Sequence, residues 1–279
     1  MLVVDRIADL QAFLKQHQGQ SVGFVATMGA LHQGHLSLID TSKKQNTITI
    51  CSIFVNPTQF NNKEDLMNYP KNIRQDLRQL EKNSCDVVFI PSVEEIYPEK
   101  DNTKFDFGML SNVMEGEHRP GHFSAVANVV KRFFEIIQPT VAYFGEKDFQ
   151  QLAVIRALVR QLQIPIKIVG CPIVREENGL AMSSRNQRLS EEEKQKAGVI
   201  YTALNELKNN YNKDTLPNLK QKAIATLVKD AEMQVEYFEI ADGQSLQPIK
   251  NWEDSNYCVA FVAVNVGPVR LIDNMTIIN

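Results

Sequence analysis

The chain has 279 residues, 43% of them hydrophobic, so it can bury one large core or two smaller ones. A formal net charge of −3 offers no basic surface for nucleic acid, and no stretch approaches the roughly 18 uninterrupted apolar residues of a membrane span. The first twenty residues lack the basic and apolar regions of a signal peptide. We therefore expect a cytoplasmic protein that acts on small molecules, with neither nucleic acid nor membrane as a partner.

The four cysteines favour the same compartment. They are far apart, form no CxxC pair, and three lie in apolar strand-like runs, where cysteine behaves as a small buried hydrophobe. We predict that all four are reduced and structural, as in cytoplasmic proteins. They are Cys51, Cys85, Cys171 and Cys258.

The first two thirds of the chain alternate between strand-like and helix-like patterns. Apolar residues at spacings of three and four predict helices over 123–137 and 148–162, and 69–82 is predicted as a charged amphipathic helix. Strand, helix, strand in this order predicts an α/β fold with a Rossmann-like parallel sheet covered on both faces. The β-branched and aromatic runs that predict its strands are 21–28, 46–55, 85–91, 140–147 and 164–174.

The pattern changes after residue 174. Ser190 followed by Glu193 is a capping-box pattern that predicts a helix over 190–210, and a second helix is expected over 215–232. Strand-rich segments at the end of the chain predict a small α+β domain with an antiparallel sheet. These segments are 235–242 and 256–273, the latter broken at Gly267-Pro268.

The two domains predicted from this change are 1–175, the Rossmann-like domain, and 176–279, a smaller α+β domain that acts as a lid.

The segment TMGALHQGHLSLI, residues 27–39, places His32 and His35 three residues apart between a predicted strand and a predicted helix. Zinc would need further ligands, and no other histidine or cysteine pair has ligand spacing. Satisfied structural histidines are a second alternative. A phosphate site explains more, because helix N-termini attract anions and Gly34 permits close approach of the backbone. There the imidazoles would donate to phosphate oxygens or act as proton donors.

Two later segments carry polar groups around turns. In FVNPTQF, residues 54–60, the amides of Asn56 and Gln59 suit a substrate with hydroxyls beside a carboxylate, and a solvated Asn-Pro turn is the alternative. In EGEHRPGHF, residues 115–123, the Pro-Gly turn favours a structural entry to a helix, with an anion site as the alternative.

GEKDFQQ, residues 145–151, follows a predicted strand and enters a helix. Lys147 supplies a mobile charge suited to phosphate, and Gly145 permits a ligand to approach the backbone. Asp148 occupies a position typical of a helix cap, and Gln151 shares the face of the first turn.

MSSRN, residues 182–186, offers two hydroxyls and a guanidinium as phosphate donors, with a polar linker as the alternative. Asp76, in the predicted charged helix, is a candidate ligand for Mg²⁺, although a solvated helix face is the more ordinary role for such an acid.

Taken in order, these segments resemble those of the pantoate–β-alanine ligases (pantothenate synthetases), nucleotidylyltransferase-superfamily enzymes with an HxGH signature. The resemblance covers about residues 20 to 190. It implies ATP-dependent joining of (R)-pantoate to β-alanine through an enzyme-bound pantoyl adenylate, with AMP and pyrophosphate released, on the pathway to coenzyme A. It also implies ATP as co-substrate, Mg²⁺, a cytoplasmic location and a homodimer.

The resemblance further implies roles for individual residues. His35 is the expected proton donor, with His32 and Lys147 as the other catalytic residues. Gln59 and Gln151 would hold pantoate, and Gln59 would also face β-alanine. The ATP residues, including a backbone contact of adenine with Val174, are Met28, Gly29, Ala30, Leu31, His32, Gln33, Gly34, His35, Gly145, Glu146, Lys147, Asp148, Val174, Met182, Ser183, Ser184 and Arg185.

The chain departs from the family pattern at two positions. Ala125 stands where glycine is usual, and Asn128 where threonine is common. Two other functions remain open on sequence grounds: a nucleotide-binding regulator without catalysis, and a nucleotidylyltransferase that makes a dinucleotide.

Overall fold

The computed structural model describes residues 1–99 and 103–279. It divides into two compact units, which we call the N-terminal unit and the C-terminal unit. The N-terminal unit comprises Met1–Phe107, Arg119–Glu146 and Gln151–Pro172. The C-terminal unit comprises Gly108–His118, Lys147–Gln150 and Ile173–Asn279. The limits 1–175 and 176–279 remain a prediction, and the structure adds two internal stretches to the C-terminal unit.

The N-terminal unit is built on a six-stranded parallel sheet with the order β1-β4-β3-β2-β5-β6. Its central strands are buried along nearly their whole length because helices cover both faces, as is typical of such a sheet. The α/β prediction is confirmed, and each predicted run contains one strand. The strands are β1 Leu2–Val4, β2 Val22–Thr27, β3 Ile48–Ile53, β4 Val87–Phe89, β5 Val141–Gly145 and β6 Lys167–Cys171.

The helices predicted over 123–137 and 148–162 are confirmed, whereas the one predicted over 69–82 begins only after Asn72, whose side chain caps it. In the described part of the chain, no helix is long and apolar enough to cross a membrane. The helices are α1 Ile7–Gln16, α2 Gln33–Gln45, α3 Lys63–Met67, α4 Ile73–Lys82, α5 Val93–Ile96, α6 Glu115–His118, α7 His122–Ile137, α8 Phe149–Gln161, α9 Glu191–Ala197, α10 Val199–Asn210 and α11 Leu216–Leu227.

The C-terminal unit contains the predicted antiparallel sheet, in the order β7-β8-β9, and an apolar core that the sheet shares with α10 and α11. The break predicted at Gly267-Pro268 is confirmed as the turn between the last two strands, and Gly267 has a φ of 52° there. The strands are β7 Met233–Asp242, β8 Cys258–Val266 and β9 Val269–Ile278.

Two helix predictions in this unit are wrong in extent. The helix expected over 190–210 is interrupted at Gly198, because Asn178 donates to the Lys194 carbonyl at 2.8 Å and the Gly198 N–H bonds the Gln195 carbonyl instead. The helix expected over 215–232 ends at Leu227. The capping box is confirmed, since the Ser190 hydroxyl accepts from the Glu193 N–H at 3.2 Å.

Candidate active site

The strand order of the N-terminal unit reverses at β2, which has β3 on one side and β5 on the other. In open α/β sheets ligands bind beyond the carboxyl ends of the strands at such a reversal. Three predicted segments begin at this edge: Met28–His35 after β2, Asn56–Gln59 after β3, and Gly145 at the end of β5. The parallel register therefore brings together segments that lie far apart in sequence.

The loop after β2 has an unusual backbone. Gly29 and Ala30 have φ values of 78° and 49°, a left-handed conformation that costs a residue with a Cβ roughly 1–2 kcal/mol. The Asp76 carboxylate offsets this cost, because it accepts from the Ala30 N–H at 3.0 Å and from the Leu31 N–H at 2.8 Å. A carboxylate from α4 thus fixes the turn that leads to the histidines.

Asp76 is only 2% exposed, so the alternative of a solvated helix face is wrong. Burial raises the pKa of this carboxyl above its usual range, and the N–H groups of Leu31 and Ala30 partly counteract that rise. The side chain is therefore a buried acceptor that holds the loop.

His32 and His35 form a cap at the start of α2. The His32 Nδ1 accepts from the Gly34 N–H at 3.1 Å, and the His35 Nδ1 accepts from the His32 N–H at 3.4 Å. The two ring centroids are 4.0 Å apart. Because each Nδ1 acts as an acceptor, the neutral rings carry their proton on Nε2. Capping thus orients both rings and fixes the nitrogen that donates.

The amide pair after β3 is also preorganised. Asn56 is buried; its Oδ1 accepts from the Tyr97 hydroxyl at 3.2 Å and its Nδ2 donates to the Gln59 Oε1 at 3.3 Å. The Gln59 Nε2 lies 3.3 Å from the Met28 Sδ. Gln59 therefore sits beside the loop that contains the histidines, rather than in a solvated turn.

The EGEHRPGHF segment contacts the backbone of Gln59. His122 Nδ1 lies 3.0 Å and Arg119 Nη2 3.5 Å from the Gln59 carbonyl oxygen, and Gly121 begins α7 with a φ of 81°. These contacts agree with the structural interpretation of this turn. Arg119 and His122 act here on the backbone of a predicted substrate residue.

The two departures from the family pattern lie on α7. The Ala125 carbonyl accepts from the Asn56 Nδ2 at 3.5 Å, a backbone contact that glycine would also provide. The Asn128 Nδ2 donates to the Thr103 carbonyl at 3.0 Å, and among the described residues its buried Oδ1 has no partner.

Open space adjoins the end of β5. A Cβ built on Gly145 would meet no atom within 4 Å, which leaves room for a ligand against the backbone. Gln151, on the first turn of α8, is half-buried.

In the C-terminal unit, the predicted ATP residues fall on two segments. The Lys147 carbonyl accepts from the Asn274 Nδ2 at 2.8 Å, and Asp148 closes a 3-10 turn that starts at Glu146. The second segment begins as a hairpin, in which the Met182 N–H donates to the Val174 carbonyl at 3.0 Å.

The MSSRN segment continues from this hairpin as a 3-10 helix. The Ser183 hydroxyl caps it by accepting from the Arg185 N–H at 3.3 Å, and Ser184 is buried. The Asn186 Nδ2 donates to the Glu176 Oε1 at 2.7 Å and to the Ala181 carbonyl at 3.1 Å. The segment is therefore an ordered turn, not the polar linker that the sequence left as an alternative.

Sequence reasoning missed three residues that hold these segments. Arg175 makes a bidentate ion pair with Asp273, at 2.6 and 3.0 Å, and Asn274 holds Lys147. The available signal was an Asp-Asn pair in the middle of strand β9, between apolar residues on both sides, since buried polar residues need partners.

A parallel sheet whose second strand leads into a capped HxGH helix is typical of the nucleotidylyltransferases. Residues 2–276 match the family model described as pantoate-beta-alanine ligase. The chain is 50% identical to the pantothenate synthetase of Azobacteroides pseudotrichonymphae, over 99% of this chain and 100% of the relative. It is also 50% identical to that of Bacteroides thetaiotaomicron, over 99% and 98%.

Solved structures give the same result. The pantothenate synthetase of Thermus thermophilus superposes with a TM-score of 0.94 at 40% identity, covering 100% of both chains. The pantoate-beta-alanine ligase of Francisella tularensis, complexed with beta-gamma ATP and beta-alanine, has a TM-score of 0.83 at 37% identity, covering 99% of this chain and 97% of that one. The chain belongs to the pantoate–β-alanine ligase family.

Proposed function

We propose that this chain joins (R)-pantoate to β-alanine at the expense of ATP, with the capped His32–His35 pair as its phosphate-binding centre. The reaction is that of the family, and ATP is its co-substrate. The observation that carries the assignment of residues is the geometry of the pair, in which both Nδ1 atoms accept backbone N–H groups and so leave Nε2 as the nitrogen that can donate to a ligand.

In the first half-reaction, a pantoate carboxylate oxygen attacks the α-phosphorus of ATP and the bond to pyrophosphate breaks. We propose that His35 donates to the phosphate oxygens that gain charge in this step, with His32 beside it. The start of α2 contributes N–H groups and the positive end of its dipole. In the second half-reaction, the β-alanine amine attacks the carbonyl of the mixed anhydride, loses a proton, and AMP leaves. Neither half-reaction needs a covalent enzyme intermediate, so positioning accounts for much of the rate.

We assign pantoate to the amides of Gln59 and Gln151. A carboxamide donates through nitrogen and accepts through oxygen, so it can meet a carboxylate and a hydroxyl of the same substrate. The contacts that fix Gln59 through Asn56, Arg119 and His122 support its role as a rigid contact.

For the C-terminal unit we assign phosphate contacts to Lys147 and to the Met182–Arg185 segment, which supply an ammonium, hydroxyls and a guanidinium. Val174, next to this segment in the hairpin, is the proposed backbone contact of adenine. Its carbonyl is already paired with the Met182 N–H.

Mg²⁺ is the proposed metal, with Asp76 among the residues that would hold it. The donor types fit, because Mg²⁺ takes carboxylate and amide oxygens together with phosphate and water. Each Asp76 oxygen already accepts one backbone N–H and would offer the ion its second lone pair. The described residues contain no cluster of three or more His, Cys, Asp or Glu that could hold a metal, so phosphates and water would supply the other ligands. When bound, the ion would neutralise charge on the phosphates.

We further propose a homodimer in the cytoplasm. The resemblance to the family supports the dimer, and four buried free thiols support a reducing compartment. Sedimentation velocity at several protein concentrations tests the oligomeric state.

The deciding experiment incubates the protein with pantoate, β-alanine and Mg-ATP and separates the nucleotides by chromatography. We expect AMP, pyrophosphate and pantothenate in equal amounts, and no ADP. Bound pantoyl adenylate without β-alanine supports the two-step route. A dinucleotide product would indicate another nucleotidylyltransferase, and tight ATP binding without turnover would indicate a regulator.

A further inference from the structure

The last strand of the C-terminal unit carries two adjacent buried polar residues, Asp273 and Asn274, which are 4% and 5% exposed. Neighbouring residues of a strand point to opposite faces, so the pair presents polar groups to both sides of β9. Buried polar groups of this kind persist only when they are well partnered. Their partners are Lys147, to which the proposed function assigns a phosphate contact, and Arg175, in the hairpin that leads to the Met182–Arg185 segment.

Asp273 holds the hairpin that leads to Ser183. Its oxygens accept from Arg175 Nη1 at 2.6 Å and Nη2 at 3.0 Å, a bidentate geometry that fixes the guanidinium plane. Arg175 Nη1 also donates to the Gly179 carbonyl at 3.0 Å, and the guanidinium carbon lies 4.7 Å from the centre of the Tyr201 ring. Arg175 therefore ties the turn of the hairpin to β9.

Asn274 holds the other segment. Its Nδ2 donates to the Lys147 carbonyl at 2.8 Å, across a sequence separation of 127 residues. This hydrogen bond fixes the Lys147 backbone and therefore the point from which the lysine side chain extends. Arg175 Nη2 lies 3.4 Å from the Asn274 carbonyl, so both segments meet the same two residues of one strand.

We infer that Asn274 and Asp273 are positioning residues for ATP, which set the place of Lys147 relative to the Val174–Arg185 segment. This inference rests on the proposed function of those segments. Neither residue is assigned a contact with substrate. They act by holding a backbone carbonyl and a guanidinium, so their loss should weaken ATP binding selectively.

The test replaces Asn274 with aspartate, which has nearly the same shape. The new carboxylate faces the Lys147 carbonyl as acceptor against acceptor, so we expect the KM for ATP to rise about tenfold while that for pantoate changes less than about twofold. At lower pH the protonated carboxyl regains a donor, and the ratio of the variant's KM for ATP to that of the wild type should fall. A merely structural defect would not recover in acid.

Two further variants make the test specific. The matched control is Asn210→Asp. The Asn210 amide also donates to a backbone carbonyl, that of Glu206 at 2.7 Å, but within α10. This substitution should leave the KM values for ATP and pantoate unchanged. In a Lys147→Ala background, Asn274→Asp should raise the KM for ATP by less than about twofold, because the ammonium that it positions is gone. Arg175→Lys, which loses the bidentate pair, should raise the KM for ATP in the wild-type background.

Equal rises in the KM for ATP and for pantoate, no recovery in acid, or full additivity with Lys147→Ala would each overturn the inference. Thermal unfolding of every variant checks the fold. Failure of the proposed function would look different, because the wild type would then form no AMP. In that event, calorimetry measures the dissociation constant of a non-hydrolysable ATP analogue for each variant. These constants are then compared between variants in place of the KM values.

Discussion

The segment that contains His32 and His35 is held mostly by its own neighbours in sequence, whereas the hairpin that leads to Ser183 and Arg185 is also held from the far end of the chain. In the first, each histidine accepts a backbone N–H within three residues, and one distant carboxylate, Asp76, completes the loop. In the second, Arg175 at the base of the hairpin reaches Asp273, 98 residues away.

This difference separates two kinds of preorganisation. A short-range network forms with the helix that it caps, so its sequence pattern and its geometry go together. A long-range ion pair exists only after β9 is in place, so the local contacts of Ser183 and Asn186 shape the MSSRN turn but do not fix its place relative to β9. We expect substitutions in the first network to affect catalysis directly, and those in the second to affect the binding of ATP.

The largest expected effect comes from His35→Ala. Removal of a preorganised donor to a developing oxyanion lowers rates about 10²–10³-fold, so we expect pantoyl-adenylate formation to fall by that amount. The capping bond lost with the ring is long, 3.4 Å, so the fold should persist. Pyrophosphate release in single-turnover experiments measures the effect.

The matched control for this variant is His17→Ala, since His17 also makes a local backbone contact, with the Phe13 carbonyl at 2.8 Å at the end of α1. Near-normal pyrophosphate release from His35→Ala would rule out the role given to this residue and leave the cap as its only function.

Asp76→Asn should lower kcat/KM for ATP about 10- to 100-fold. The amide can accept only one of the two N–H groups and places a donor against the other, a loss of about 1–3 kcal/mol. Isothermal titration measures the affinity for ATP, and steady-state kinetics measure kcat/KM. Asp86→Asn is the control, because Asp86 also accepts a backbone N–H, from Thr49 at 2.7 Å, but at the amino end of the strands.

The same variant has a pH signature. Burial raises the pKa of Asp76, so the folded protein takes up this proton at a higher pH than an ordinary carboxyl does. Protonation removes one acceptor from the loop, so kcat/KM should fall as the pH drops through that raised pKa. The acid limb should disappear in Asp76→Asn, and a limb that persists unchanged would exclude this carboxyl as its source.

Gln59→Ala should raise the KM for pantoate about tenfold and change that for ATP little, because it removes hydrogen bonds to one substrate. Initial rates with each substrate varied in turn measure both constants. Asn61→Ala tests the integrity of the loop, since its amide only ties the loop to the Pro120 carbonyl at 2.8 Å. Equal losses for both substrates would contradict the assignment of Gln59.

The smallest effect is expected from Ser190→Ala, which removes a local cap in the C-terminal unit. Loss of such a cap costs about 1 kcal/mol, which corresponds to a Tm lower by about 2–4 °C. Because α9 begins after the MSSRN segment ends, the KM for ATP should not change. A raised KM would show that local contacts as well as β9 hold this segment, and would weaken the contrast between the two regions.

The strand and helix patterns predicted much of this fold because they depend on local chemistry. The runs that became β2 and β3 are short and rich in β-branched and apolar residues, as is typical of strands buried on both faces. One error arose where a group from outside the predicted segment intervened. Asn178 donates to the Lys194 carbonyl, and the predicted helix is interrupted at Gly198, the one glycine within 190–210.

The sequence by itself determined the α/β class, the strand–HxGH–helix order and the family, because periodicity and motif order are properties of short stretches. Only the tertiary structure decided that Asp76 is buried against the Ala30 and Leu31 N–H groups and that Asn274 holds Lys147. Such contacts join residues across 45 to 127 positions. A buried polar group must find its partner in space, and that partner is defined only once the strands and helices have packed.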